Sequence, residues 1–265
     1  MRQHQINGLN VIEYGEENKQ SIVFVHAFPL NLKMWNPQVE GLKNDYRVIV
    51  YDSRSFGLSN TETDSLTIDS HVDDLLSIID TLKLNKPVLC GLSMGGYIAL
   101  RAVERSQDTF KGVILCDTRS FADDNSGKTK RGEQIKQIKR GDRKIFDEEF
   151  VKNTVSPKTM EGKKKIVDLI NEIINEQKDA AVTGALLTMA ARTDSTEYLE
   201  NIKIPALVVV GEDDKLTPAS PSRLMNAKIR NSTMSVIPEA GHFSNLENPE
   251  KFNSEILKFL KSLES

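Results

Sequence analysis

The chain has 265 residues, 38% of them apolar and 28% charged, with a formal net charge of −3. These values suit a soluble globular protein built as one large domain, or as a core domain with a sizeable insertion. They exclude a global basic field that would draw the chain to nucleic acid or an anionic membrane, although an acidic substrate could still meet a local basic site. The N-terminal twenty residues are polar and lack the apolar stretch of a secretory signal, and no apolar run approaches the ~20 residues of a bilayer span. Cys90 and Cys116, the two cysteines, each end an apolar run. They read as buried, reduced thiols of a cytoplasmic protein. Without a Cys-x-x-Cys pair or a Cys/His cluster, neither a metal site nor a cofactor is expected.

In chain order, Gln5–Asn10 centres on an Asn-Gly pair, which accepts the positive φ of a hairpin turn. Ser21–His26, Tyr46–Tyr51, Pro87–Cys90, Phe110–Cys116 and Ile204–Val210 are short apolar runs rich in β-branched residues, with Thr233–Ile237 a weaker example. Runs of this length suit parallel strands covered on both faces. Helical periodicity falls between them. Ile68, Val72, Leu75, Leu76, Ile79 and Leu82 share one face, with Thr67 as N-cap. Met94–Glu104 reads as a buried helix starting directly after a strand. Asn248–Pro249–Glu250 opens the last helix with a capping Asn and Pro in its first turn. This alternation predicts a mostly parallel, doubly wound α/β sheet. It stops between about Arg119 and Thr196, where the pattern is helical: Ile166, Leu169, Ile170 and Ile173 mark one face, and Val182, Leu186 and Met189 another.

The chemistry concentrates in Gly91–Leu92–Ser93–Met94–Gly95–Gly96, a G-x-S-x-G match between a strand and a helix. There a sharp turn lifts the serine hydroxyl clear of the sheet, and small neighbours let the turn close. A phosphate-binding loop fits poorly, because Lys is missing after the glycines. A serine nucleophile needs a base, and the chain has four histidines. His4 lies in the N-terminal segment, His71 is expected on the solvent face of a helix, and His26 is expected to hold the loop after the first long strand. His242, in the loop after the last strand, is the expected base. The acid should follow a late strand. Glu212, Asp213 and Asp214 do so, with Asp214 at Gly211 plus three preferred, and Asp117 ends an earlier strand. The backbone N–H groups of Met94 and Phe28 are the expected oxyanion donors.

His26–Pro29, Asp52–Ser59, the Ser93 motif, Gly211–Asp214 and Gly241–His242 occur in this order over nearly the whole chain. Together they resemble the α/β-hydrolase superfamily. The branch most similar is that of 3-oxoadipate enol-lactonases and small carboxylesterases. The resemblance implies an α/β-hydrolase core over residues 1–118 and 197–265 and a helical cap over 119–196. It implies a serine hydrolase for a small-molecule ester or lactone, with Ser93, His242 and Asp214 as triad. A carbon–carbon bond hydrolase, a cofactor-free perhydrolase, an acyltransferase or a non-catalytic small-molecule receptor could use the same frame, and the oligomeric state stays open. Two positions depart from the pattern: Ala27 stands where Gly is usual, and so does Ser55. If position 55 keeps positive φ, its serine carries roughly 1 kcal/mol of strain. The scattered apolar residues of the insertion, such as Phe121, Phe146, Phe150, Leu186 and Met189, suggest a small closed pocket and short or compact acyl groups.

Overall fold

The structure, a computed structural model, describes residues 1–61 and 67–264. Asn7 and Gly8 hold φ of 51° and 81°, and turn β1 (Arg2–Ile6) antiparallel into β2 (Leu9–Tyr14), as the Asn-Gly pair predicts. Strands and helices then alternate through β3 (Ser21–Val25), α1 (Asn36–Leu42), β4 (Arg47–Tyr51), α2 (Ile68–Thr81), β5 (Val88–Leu92), α3 (Met94–Ser106) and β6 (Gly112–Cys116). Helices alone follow: α4 (Asn125–Lys139), α5 (Arg143–Thr154), α6 (Pro157–Gly162), α7 (Lys164–Asn175) and α8 (Asp179–Ala191). The alternation resumes with β7 (Ala206–Gly211), α9 (Ala219–Lys228), β8 (Ser232–Ile237), α10 (Ser244–Glu247) and α11 (Pro249–Ser262). The last helix begins as its sequence predicts, with the Asn248 side chain accepting from Lys251 N–H and Pro249 in the first turn. Among the described residues, no helix is long and apolar enough to cross a membrane.

The strands form one sheet in the order β1-β2-β4-β3-β5-β6-β7-β8. β2 pairs antiparallel with β1 and β4, and every other neighbouring pair is parallel. Side chains alternate between two cores. Val23, Val25, Leu89 and Leu115 join the layer of α2 and α3, whereas Ile22, Phe24, Cys90 and Cys116 join that of α1 and α11. Burial on both faces is why these strands read as unbroken apolar runs. The crossover from β3 to β4 passes over one face through α1, and that from β4 to β5 over the other through α2. β3 and β5 are neighbours, so the chain leaves their carboxyl ends in opposite directions. At such a switch point an open α/β sheet leaves a crevice.

One expectation fails in α2. Thr67 does cap the helix, accepting from Ser70 N–H, but His71 does not face solvent: it is only 2% exposed. α2 packs against both α3 and β1, so its buried arc takes in His71, Asp74 and Ile78 beside the apolar stripe. A single-stripe reading misses a helix covered on two sides. Burial, reinforced by the nearby Arg54 charge, pushes the His71 imidazole down to about 3, so it is neutral.

Candidate active site

Ser93 follows β5 with φ 55° and ψ −111°, a conformation that side-chain-bearing residues rarely adopt. Its neighbours permit it by lacking side chains. A Cβ on Gly91 would stand 2.1 Å from the Gly95 carbonyl oxygen, and one on Gly95 would stand 2.1 Å from that of Val25. The end of β6 holds the turn in place. Ser93 N–H donates to Cys116 O at 2.9 Å, and Thr118 Oγ1 donates to Ser93 O at 2.8 Å.

Ser93 Oγ lies 2.8 Å from His242 Nε2, and His242 Nδ1 lies 2.8 Å from Asp214 Oδ2. An ionised carboxylate only accepts, so Nδ1 carries the ring proton and Nε2 is left to accept from the serine hydroxyl. Burial works against the Asp214 charge. The opposing His242, with hydrogen bonds from His242 and Thr217, outweighs it and holds the carboxyl below the usual Asp range. Thr217 Oγ1 donates to Asp214 Oδ2 at 2.6 Å, and the Leu216 and Thr217 N–H groups donate to Oδ1 at 2.8 and 2.9 Å. The base loop is fixed from the helical segment: His242 N–H donates to the carbonyl of Thr154, at the end of α5, at 2.6 Å.

The other acids lie elsewhere. Glu212 and Asp213 are exposed, and Glu212 accepts from Glu239 N–H at 3.1 Å. Asp117 is fully buried but does not meet His242. Its Oδ1 accepts from Gly211 N–H at 2.7 Å, and its Oδ2 accepts from Ser244 Oγ. Asp117 therefore ties the acid-bearing loop to the base-bearing loop. Burial, followed by the charge of Asp214, pushes its carboxyl well above the usual range.

His26 has the holding role expected of it. Its Nδ1 donates to Ala27 O at 3.0 Å and its Nε2 accepts from Ser53 N–H at 2.9 Å, joining the loops after β3 and β4. His4 instead meets Glu13 at 2.8 Å, in the N-terminal hairpin. Ala27 lies outside the left-handed region, so the methyl group there costs no backbone strain, whereas Ser55 holds φ 70°. Among the described residues, the N–H groups of Phe28 and Met94 have no acceptor. Met94 opens α3, whose N-terminal dipole favours negative charge.

A cavity of about 330 Å³ meets this constellation, lined by Ser93, Phe28 and Thr217, and by Tyr97, Phe150, Leu186 and Met189. Of the apolar residues expected to roof it, Phe146 stacks on Phe150 instead, and Phe121 lies under the Arg119 guanidinium. The lining also carries four cations, Arg119, Lys130, Arg131 and Lys215, and one carboxylate, Asp123. Thr217, Thr118 and these cations were not singled out from the sequence. Thr217 had a signal, since Asp-x-x-Thr is the spacing at which a carboxylate caps the backbone two and three residues on. The cations had none, because Arg119, Lys130 and Arg131 come from one part of the chain and Lys215 from the loop after β7, with no spacing that links them.

A family model described as the α/β hydrolase fold matches residues 20–249. A 3-oxoadipate enol-lactonase of Acinetobacter baylyi is 29% identical, over 97% of this chain and 94% of its own length. Among solved structures, a thermophilic esterase from Thermogutta terrifontis matches with a TM-score of 0.95 and 32% identity, covering all of both chains. The enol-lactonase from Burkholderia xenovorans LB400 matches with a TM-score of 0.89 and 25% identity, covering 98% of this chain and 100% of its own.

Proposed function

The chain belongs to the α/β-hydrolase family, and on that premise we propose that it is a serine hydrolase cleaving a small carboxylic ester or lactone through an acyl-enzyme. The observation that carries the reading is the continuous hydrogen-bond chain from Ser93 through His242 to Asp214, with Ser93 on the cavity wall. The similarity to an enol-lactonase and an esterase supports the same reaction class.

In this reading Ser93 Oγ attacks the carbonyl carbon as its proton passes to His242 Nε2. The imidazolium is held by the Asp214 carboxylate. Charge gathers on the carbonyl oxygen between the Phe28 and Met94 N–H groups, each such donor contributing about 10²–10³ in kcat. Collapse expels the alkoxide, which takes the proton from Nε2. A water then loses a proton to Nε2 and attacks the acyl-serine, and the acid leaves as the proton returns to Ser93. With a lactone, the leaving alcohol remains tethered to the acyl group. We read residues 119–196 as a cap, because Phe150, Leu186 and Met189 from α5 and α8 close over the cavity. The free cysteines, buried on adjacent strands, fit a reducing cytoplasm.

The test is a screen of esters, lactones, thioesters and amides against the wild type, Ser93→Ala and His242→Ala, paired with fluorophosphonate labelling. Each variant should lose about 10³-fold or more in kcat while remaining folded, and Ser93→Ala should not label. Near-normal hydrolysis by both variants would remove the mechanism.

A further inference from the structure

The cavity wall away from the apolar residues has more positive charge than its protein partners use. Arg119, Lys130, Arg131 and Lys215 line it against one carboxylate, Asp123, in a chain whose net charge is −3. Asp123 is already committed. Its side chain is 1% exposed and accepts from Arg119, Arg131 and Arg192. Arg119 Nε is buried without a hydrogen-bond partner among the described residues. Neither lysine has an ion-pair partner among them: Lys130 projects from α4, and Lys215 directly follows the acid Asp214. Two unpaired ammonium groups beside a guanidinium cluster, in the cavity that Ser93 lines, form an anion-receiving wall.

We propose that the substrate is an ester or lactone that itself carries a carboxylate, and that Lys130 and Lys215, beside Arg119 and Arg131, receive that group while the carbonyl meets Ser93. The proposal rests on the serine-hydrolase reading and narrows its substrate class. The apolar wall of Phe150, Leu186 and Met189 takes the carbon chain between the two ends. The cavity volume of about 330 Å³ keeps that spacer short.

The experiment compares 4-nitrophenyl hydrogen glutarate with the isosteric ester that ends in a carboxamide, correcting each for uncatalysed hydrolysis. The wild type should prefer the acid by about tenfold or more in kcat/KM, the scale of charge-assisted hydrogen bonds. Added KCl should shrink the preference, since the lysines are exposed and the screening length is about 10 Å at 0.1 M salt. In the Lys130→Gln/Lys215→Gln double variant the ratio should fall toward unity. Neither lysine holds an ion pair, so these changes leave the Asp123 cluster whole and the fold supported. A wild-type ratio near unity, or a ratio that the double variant does not move, overturns the proposal. Calorimetric binding of glutarate against glutaramide gives the same answer without turnover: glutarate binding no tighter than glutaramide, or binding untouched by the double variant, also overturns it. Fluorophosphonate labelling of Ser93 reports separately on the serine-hydrolase reading, so the two failures are distinguishable.

Discussion

Asp117 and Asp214 follow the carboxyl ends of neighbouring strands, and their surroundings push them in opposite directions. Asp214 faces His242, and four hydrogen bonds, from Leu216 N–H, Thr217 N–H, Thr217 Oγ1 and the imidazole, hold its two oxygens, so it stays ionised. Asp117 is buried beside that charge, and the burial, followed by the charge of Asp214, pushes its carboxyl well above the usual range. An amide at position 117 would retain both ties, its oxygen accepting from Gly211 N–H and its NH₂ donating to Ser244 Oγ. Asp117→Asn should therefore lower kcat by less than about tenfold. Asp214→Asn should lower it by about 10³–10⁴, because the amide favours the wrong imidazole tautomer. Steady-state kcat for the two variants decides the matter, and a larger loss at Asp117 would move the acid to β6. The spacing after Gly211 pointed to the carboxylate that meets His242. That Asp117 is a tie between loops was not legible in the sequence, because its partners, Gly211 and Ser244, are distant in sequence and meet it only when β6 and β7 pair.

At the scale of the elements, the turn from β5 to α3 depends on space that only glycine leaves. Gly95→Ala puts a methyl group against backbone, with the Val25 carbonyl oxygen 2.1 Å away, and no rotamer change can relieve that overlap. The variant should lose about 3 kcal/mol or more of stability, together with its hydrolysis. A urea midpoint close to wild type would contradict the close approach of α3 to β3. The helical segment is tied down by charge. Asp123 joins the β6–α4 loop to Arg131 on α4 and to Arg192 just beyond α8. Burial opposes its charge, but the bonds from Arg131 and Arg192 prevail and hold its carboxyl at about 2, against an ordinary value of 3.8. A depressed folded-state value means that this contribution is complete above the unfolded value and is lost as pH falls through the folded one. About 2 kcal/mol of stability should therefore disappear between roughly pH 4 and pH 2 through this group. Asp123→Asn should be less stable at neutral pH and should show a flatter acid limb. Urea unfolding across that range checks it, and parallel profiles for the two proteins would deny the tie its charge.

For the molecule as a whole, the proposed hydrolysis should be limited in acyl length by the cavity. In an open apolar groove each added methylene contributes about 0.8 kcal/mol, roughly fourfold in kcat/KM. In a cavity of about 330 Å³ closed by Phe150, Leu186 and Met189, that gain should end after a few carbons and then reverse. A series of 4-nitrophenyl esters from acetate to palmitate tests this, and a steady climb to the longest chain would mean an open groove.

Residue order by itself specified the sheet, because strands buried on both faces need continuous apolar runs and the helices between them need a periodic stripe. It also specified Ser93, whose turn demands glycine at 91 and 95, and His242, which lies in the loop after the last strand. Tertiary structure decided what depends on packing between segments far apart in the chain. His71 is buried because α2 is covered on two sides, and Thr217 reaches Asp214 because the loop after β7 folds back on itself. Lys130 and Lys215 are separated by most of the helical segment and the strand β7, yet they line one cavity with Ser93. Periodicity reports which face of an element is covered, whereas a binding wall is assembled from different elements and has no period to read.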